Sequence, residues 1–583
     1  MITGLALALL TMGPYLSPVQ TQLASDAPIR AVLDGRTAAG VPMGDFHRWR
    51  EPLRQLYSRQ AYAPLWYRQR RLTLAGRAMI RELQAVDQRG LLPTDYDGPR
   101  LAQLTMDLDQ ERFATASDVA SLDVALSVAA AQLASDLQQG RVDPNRLGHD
   151  LDVSRPAFDA AAAVAALASA PDVAAALDAL EPPFRHYALL KKALARYRVL
   201  ARRPELTQLP ALPGSSVRPD EIYAGAPVLR QLLAAFGDLP ATPGGRNVAG
   251  PLMDPMLVDA LVRFQSRHGL HGDGILGRRT LRALTTPIAT RVQQLELSME
   301  RLRWLPARLE TPPIIVNIPQ FRLFAFRTTR DDAKDILQMD VIVGSAFKGR
   351  RTPVFAADMH YVVLHPYWDV PRNILMNELL PAIQADAAWL VDNGYEMVLG
   401  QGDDAIPQPA DASHVQMLAE GKLRLRQKPG PMNALGQVKF IFPNRYNVYL
   451  HDTPARNLFA QPRRAFSHGC IRVSDPAALL AHVLRDDPEW TRDRVDEYLR
   501  GSTTVRVPLS RPIRVFIVYG TALATEAGQT LFFDDIYDHD SPLTKLLESR
   551  RKHSLASRSL DVATGSKFKG APANDSDKHA SPG

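Results

Sequence analysis

Residues 438–473 read VKFIFPNRYNVYLHDTPARNLFAQPRRAFSHGCIRV. The runs VKFIF and NVYLHD are β-branched or aromatic, and Pro, Asn and Gly punctuate them, so the stretch predicts short strands joined by turns. The same texture extends upstream through IIVNI (314–318), FRLFAF (321–326), MDVIVG (339–344), HYVVLHP (360–366) and KLRLRQ (422–427). Together these runs predict a β-rich domain over 312–520. Between Trp368 and Gly436 they are interrupted by NILMNELLPAIQ (373–384) and by Gly-, Asp- and Pro-containing turns, a partly helical insertion of about 370–436. An insertion of that length in a compact β domain is either a lid or a decorative loop.

Cys470 is the only cysteine of the 583 residues, so no intramolecular disulfide can form. A lone cysteine is either an inert filler or a reactive group, and its neighbours decide. A thiol attacks as thiolate and needs a base or positive charge beside it. Two histidines are candidates: His468, two residues upstream, and His451, at the end of the NVYLHD run and nineteen residues before Cys470. A strand, a connection and a return would bring His451 to the cysteine, whereas His468 shares a face with Cys470 on an extended chain without having to reach the sulfur. Gly469 removes a Cβ where backbone amides would approach an oxyanion. Arg472 is suited to hold a substrate carboxylate or to brace the loop.

Upstream the periodicity is helical. LTLAGRAMIRELQAVDQRG, ASLDVALSVAAAQLASDLQQG, AAAVAALASAPDVAAALDAL and HYALLKKALARYRVLA each carry apolar residues at helical spacing or are rich in alanine, with Gly90 and Gly140 as expected ends. Proline-rich 201–220 reads as a linker. Residues 221–287 read as a small helical module, opened by Asp254 as N-cap and Pro255 at the first helical position. Gly272, Gly274 and Gly277 match G-x-G-x-x-G, but a helix precedes them, so they read as tight turns and not as a dinucleotide site. Another helix is expected over 288–306.

The net charge of +7 suits a polyanionic neighbour in general. No aromatic-interleaved basic patch or zinc-finger spacing points to nucleic acid. Residues 2–25 are uncharged and the Ile2–Leu10 run is apolar, as in a secretory signal that would be cut near Ala24 or Ser25. No other stretch is expected to cross a bilayer. From 547 onward the composition predicts disorder.

Ser467-His468-Gly469-Cys470-Ile471-Arg472, with His451 upstream, resembles the signature of the L,D-transpeptidases, the YkuD-type cysteine enzymes of bacterial walls. Tyr446–Pro454, Arg464–Cys470, Pro366–Pro371 and Phe533–Tyr537 resemble the large periplasmic YcbB-like branch of Gram-negative bacteria. Residues 221–287 resemble the peptidoglycan-binding type 1 domain. The N-terminal region, with Leu65-Trp66 and Gly140–Pro144, is similar to that branch's scaffold domain. The resemblance implies a multi-domain α+β protein: a signal peptide (1–25), a helical scaffold domain (40–205), a three-helix peptidoglycan-binding-like module (218–288), the β-rich catalytic domain (312–520) with its lid insertion, a closing segment (521–546) and a disordered tail (547–583). It implies Cys470 as nucleophile, His451 as general base, the amides of Gly469 and Cys470 as oxyanion donors, Ser467 and His468 as loop residues, and Arg472 and Tyr449 at the substrate. Trp368 and Tyr367 line the cleft or pack a core.

The implied reaction releases D-Ala from a tetrapeptide stem and forms a 3→3 cross-link through a thioester, in the periplasm, without cofactor or metal, and with carbapenems as inactivators. Stem peptides and glycan would be the partners, other wall-synthesis proteins further candidates, and the membrane would be reached only through an uncleaved N-terminal segment. L,D-carboxypeptidase, D-amino acid exchange and lipoprotein anchoring would use the same site, and a non-catalytic wall-binding scaffold is the alternative of another class. A papain-like hydrolase would place its cysteine first and its histidine far downstream, the reverse of the order here. His360 and His365 face opposite ways on a strand and are set aside as metal ligands. Asp534, Asp535, Asp538 and Asp540 lack the glycine and closing Glu of a calcium loop and read as a structural turn. Asp273 reads as a turn residue before a glycan contact.

Overall fold

The computed structural model describes residues 28–35, 46–69, 71–109, 115–151, 157–240, 250–329, 335–402 and 404–551. The expected signal peptide at 1–25 lies outside them, as does everything beyond 551. The chain divides into two compact units, one of residues up to Arg141, Pro156–Pro182 and Lys545 onward, the other of Val142–Arg155 and Pro183–Thr544.

The first unit is helical and is organised around Ala116–Gln139, opened by a reciprocal Thr115–Asp118 capping box and buried almost continuously from Val119 to Leu137. Among the described residues this helix is long and apolar enough by length and composition to cross a membrane, which the sequence reading did not anticipate. It is the core helix of the unit, as its buried Asp123, Ser127 and Asp136 show, for all three are met by neighbours. Asp123 accepts from the Tyr57 hydroxyl at 2.6 Å and from the amides of Leu65 and Trp66 at 3.0 and 2.8 Å. The Trp66 indole donates to Ser127 at 2.8 Å, and Tyr96 and Arg550 reach Asp136. Arg550 belongs to a helical stretch over 540–551, so the described part of the expected disordered tail, 547–551, is ordered by an ion pair with Asp136 at 2.9 Å. The expected helix ending at Gly90 breaks earlier: Leu74–Gln84 is α-helical, and a 3-10 turn over Val86–Arg89 ends on left-handed Gly90.

In the second unit, helices Ala226–Phe236, Pro255–Arg267 and Arg278–Thr285 form the small module around Leu229, Leu233, Phe264 and Leu284. Asp254 caps Pro255–Arg267 by accepting from the Leu257 amide. The glycine-rich stretch folds back on that helix. Gln265 accepts from the Gly274 amide and donates to Asp273, and a Cβ on Gly274 would meet Val258 at 2.6 Å. Asp273 is thus a turn residue. The presumed linker contributes a strand, Ser216–Val217, paired with Leu276–Gly277. The next helix, Ile288–Leu302, stops short of 306.

The β-rich domain comprises β1 (Ile314–Asn317), β2 (Arg322–Ala325), β3 (Leu337–Gly344), β4 (Phe355–Leu364), β5 (Val438–Ile441), β6 (Leu450–His451), β7 (Ala465–Ser467), β8 (Ile471–Val473) and β9 (Val505–Val518). Their order is β7-β3-β8-β6-β5-β4-β9-β1-β2, and a further pairing of β2 with β3 closes the sheet on itself. The closed sheet buries Val316, Leu323, Val341, Val362, Phe440, Leu450 and Ile471, while β7 stays at its margin, paired only with β3.

The insertion between β4 and β5 is a body with its own core of Leu375, Leu380, Ile383, Met397, Leu418 and Leu425 and its own four-stranded sheet. The acidic cluster is a structural turn: Asp535 accepts from the Tyr519 hydroxyl and the amides of His539 and Asp540, while Asp540 pairs with Arg301.

Candidate active site

The candidate residues come together because two pairings among three strands fall in one register. In the parallel pair β6–β8, Leu450 lies opposite Ile471 and His451 opposite Arg472; in the antiparallel pair β5–β6, Lys439 lies opposite His451. Side chains alternate along each strand, and Leu450, Ile471 and Phe440 turn into the core. Tyr449, His451, Cys470, Arg472 and Lys439 therefore share the other face, with Cys470 and His451 diagonal neighbours on adjacent strands.

The β5–β6 turn is built by Asn444, whose carboxamide oxygen accepts from Tyr446 and Val448 and whose nitrogen donates to Phe442 and Val448. This turn holds Asn447 at φ +53°, a conformation that Asn tolerates. It also aims the Asn447 carbonyl at the Cys470 thiol, 3.7 Å away. The Tyr449 amide and hydroxyl also face the sulfur.

Cys470 is partly exposed, and His451 is buried. His451 Nδ1–H donates to the backbone carbonyl of Asp452 at 2.5 Å, which leaves Nε2 as the lone-pair nitrogen. The Asp452 carboxylate is used elsewhere, on the amides of Gln437 and Thr453 and on Arg456. Burial, then Arg472 and Lys439, hold the imidazole down to about 3. Burial pushes the Cys470 thiol up, against the Tyr449 amide, Lys439 and Arg472. Burial thus disfavours the charged form of both groups, so the resting thiol and imidazole are each neutral.

Ser467 Oγ donates to the Cys470 carbonyl at 2.5 Å and accepts from the Gly469 amide at 3.1 Å. The Gly469 N–H is thus engaged inside the loop by Ser467. The loop is propped from behind. Thr352 Oγ1 donates to the Gly469 carbonyl and accepts from the Gly344 amide, each at 2.8 Å, and the Tyr537 hydroxyl donates to the Gly344 carbonyl at 2.5 Å. Position 344 admits only glycine, because a Cβ there would lie 2.0 Å from the Arg350 carbonyl oxygen.

Arg472 is half-buried on the shared face, and its Nε has no partner among the described residues. Burial lowers its proton affinity. His468 points to the insertion, where Nε2 meets Glu378 at 2.7 Å. Trp368, half-buried, packs against the insertion core, its ring centroid 6.3 Å from that of Tyr395, and Tyr367 lies under the Arg426 guanidinium. His365 is bound to the Tyr498 carbonyl. Among the described residues, no cluster of His, Cys, Asp and Glu is placed to hold a metal.

Lys439, Asn447, Thr352 and Tyr537 escaped the sequence reading. Alternation in VKFIF marks Lys439 as outward-facing, but only the pairing register puts it beside His451.

Comparison with known proteins agrees with this organisation. Residues 312–507 match the L,D-transpeptidase catalytic domain, 51–194 the scaffold domain, and 227–284 the "Putative peptidoglycan binding domain". A Haemophilus influenzae protein named "Putative L,D-transpeptidase" is 34% identical over 276 residues, 46% of this chain and 54% of that protein. The chain thus spans about half the length of the curated relative it matches.

Proposed function

We propose that this chain, which carries an L,D-transpeptidase catalytic domain at 312–507 and a peptidoglycan-binding domain at 227–284, joins peptidoglycan stem peptides 3→3 through a thioester on Cys470. The observation that carries the reading is the shared face of β6 and β8, where Cys470 and His451 are diagonal neighbours and the His451 ring is pinned with Nε2 free to accept a proton.

Cys470 Sγ attacks the carbonyl that links the third stem residue, a diamino acid, to a terminal D-Ala. His451 Nε2 takes the thiol proton and delivers it to the departing amine, so the C–N bond breaks and D-Ala leaves. The Cys470 amide donates to the oxyanion, and Arg472 holds a substrate carboxylate. The side-chain amine of a second stem then attacks the thioester, the C–S bond breaks, and the amine's proton returns to sulfur through His451. A carbapenem carbonyl would be attacked by the same sulfur and remain there. Such chemistry belongs in the periplasm, which is where we place the protein.

Intact-mass measurement with a purified tetrapeptide stem tests this. A tripeptide adduct on Cys470 with release of D-Ala is expected, followed by a 3→3 dimer when acceptor is added. A monomeric tripeptide as the only product would make the enzyme a carboxypeptidase, and the absence of any adduct would remove the enzymatic reading.

The pH profile is a second expected outcome. The folded histidine stays neutral far below the ordinary range, so kcat/KM should show no loss around pH 6.5 and should fall only toward about pH 3. Thiol alkylation should stay slow until the solution is well alkaline. An acid limb centred near 6.5 in stopped assays would contradict the neutral pair.

A further inference from the structure

The insertion hydrogen-bonds to the cysteine loop through the side chain of Glu378. Glu378 lies in a five-residue π-helical turn, Leu375–Leu379, a rare geometry that concentrates at functional sites. Its Oε1 meets His468 Nε2 and Arg350 Nη2, each at 2.7 Å. His468 is two residues before Cys470, and Arg350 belongs to the loop that backs Gly469, where the Arg350 carbonyl stands 3.9 Å from the place of a Gly469 Cβ. Among the described residues, no other side-chain hydrogen bond joins 372–423 to the loops at 345–353 and 465–473. The insertion has a separate core, and the two chain crossings that join it to the barrel are tied together by Asn433, which donates to the carbonyls of Pro366 and Lys428 at 3.0 Å. A body of that kind moves as a unit about its crossings, and a single carboxylate clips it down.

Resting on the thioester reading above, we infer that Glu378 is a positioning residue that latches the insertion onto the cysteine loop and thereby decides whether the thioester is taken by an amine or by water. The two fates share one intermediate. With an amine, an N–C bond forms, the C–S bond breaks, and the amine's proton returns to sulfur. With water, an O–C bond forms, the same C–S bond breaks, and the products are a free thiol and a tripeptide carboxylic acid. Keeping the insertion seated excludes the second route. Burial pulls the Glu378 carboxyl up, but His468 and Arg350 outweigh it and hold the group below its ordinary range, as an occupied charged latch requires.

The experiment measures the ratio of tripeptide to 3→3 dimer from the full-length protein with tetrapeptide donor and a fixed acceptor concentration, together with the rate of adduct formation by intact mass. For Glu378→Gln, which keeps an acceptor but loses the charge, the hydrolysis share should rise roughly fivefold. For Glu378→Lys, which repels Arg350, it should rise further. The rate of adduct formation should stay within about twofold of the native protein in Glu378→Gln. The ratio is insensitive to the folded fraction, because both products come from the same acyl-enzyme. An unchanged ratio in both variants overturns the inference, as does a slower acylation with the ratio intact. Should the native protein form no adduct at all, the thioester reading fails instead.

Discussion

Cys470→Ala should abolish both the acyl adduct and cross-link formation, lowering turnover by roughly 10⁴-fold or more, while the far-ultraviolet spectrum and thermal transition stay those of the native chain. The thiol makes only weak polar contacts, to the Asn447 carbonyl at 3.7 Å and to the Tyr449 amide and hydroxyl, so its removal costs little stability. Function and fold are separated here because the loop's geometry is carried by Ser467, Thr352 and Tyr537, none of which needs the sulfur. Cys470→Ser gives a sharper comparison: the hydroxyl preserves the shape but is a much poorer nucleophile beside a neutral imidazole. Cross-linking at native rate by Cys470→Ala in a muropeptide assay would remove the cysteine from the chemistry altogether.

The largest effect on stability is expected far from that site. Asp123→Ala should destabilise the helical unit by about 4 kcal/mol, because it strands the buried amides of Leu65 and Trp66 and takes one partner from the Tyr57 hydroxyl. Ser127 still meets that hydroxyl at 2.7 Å, so the loss falls mainly on the two amides. Urea unfolding followed by circular dichroism measures it, and a change below about 1 kcal/mol would show that water replaces the carboxylate. The pH dependence has a definite sign. Burial raises the Asp123 carboxyl from 3.8 to about 6, against the hydrogen bonds it accepts. The native state therefore binds more protons than the unfolded state between those values, and this group's contribution to stability falls as pH rises through that window.

Several features of this protein follow from local rules and were legible in the residues. The period-2 runs mark the strands, the Asp254-Pro255 pair marks a helix start, and the breaks at Gly90 and Gly140 mark helix ends. The Ser467–Arg472 motif, with His451 upstream, singles out the reactive region. The sequence misled where a local signal had a non-local resolution. Ala116–Gln139 has the composition of a membrane span, yet Asp123, Gln132 and Asp136 are each satisfied by residues 40 or more positions away in the chain or beyond its far end. The segment at 201–220 looked like a linker because a two-residue strand has no periodicity to detect. The insertion's own core, against which Trp368 packs, joins residues from Leu375 to Leu425 that no short run announces.

By itself, then, the sequence determined which groups this protein has available for chemistry and which stretches become strands and helices, because propensity, capping and alternation act over a few residues. Only the tertiary structure decided their partners. The β5–β6–β8 register set Lys439, His451 and Arg472 in one row and Cys470 diagonal to the imidazole, the Asp452 carbonyl in place of its carboxylate fixed the tautomer, and Glu378 reached His468 across 90 residues. Those relations depend on which backbone hydrogen bonds close the barrel, a global choice that no short window of residues contains.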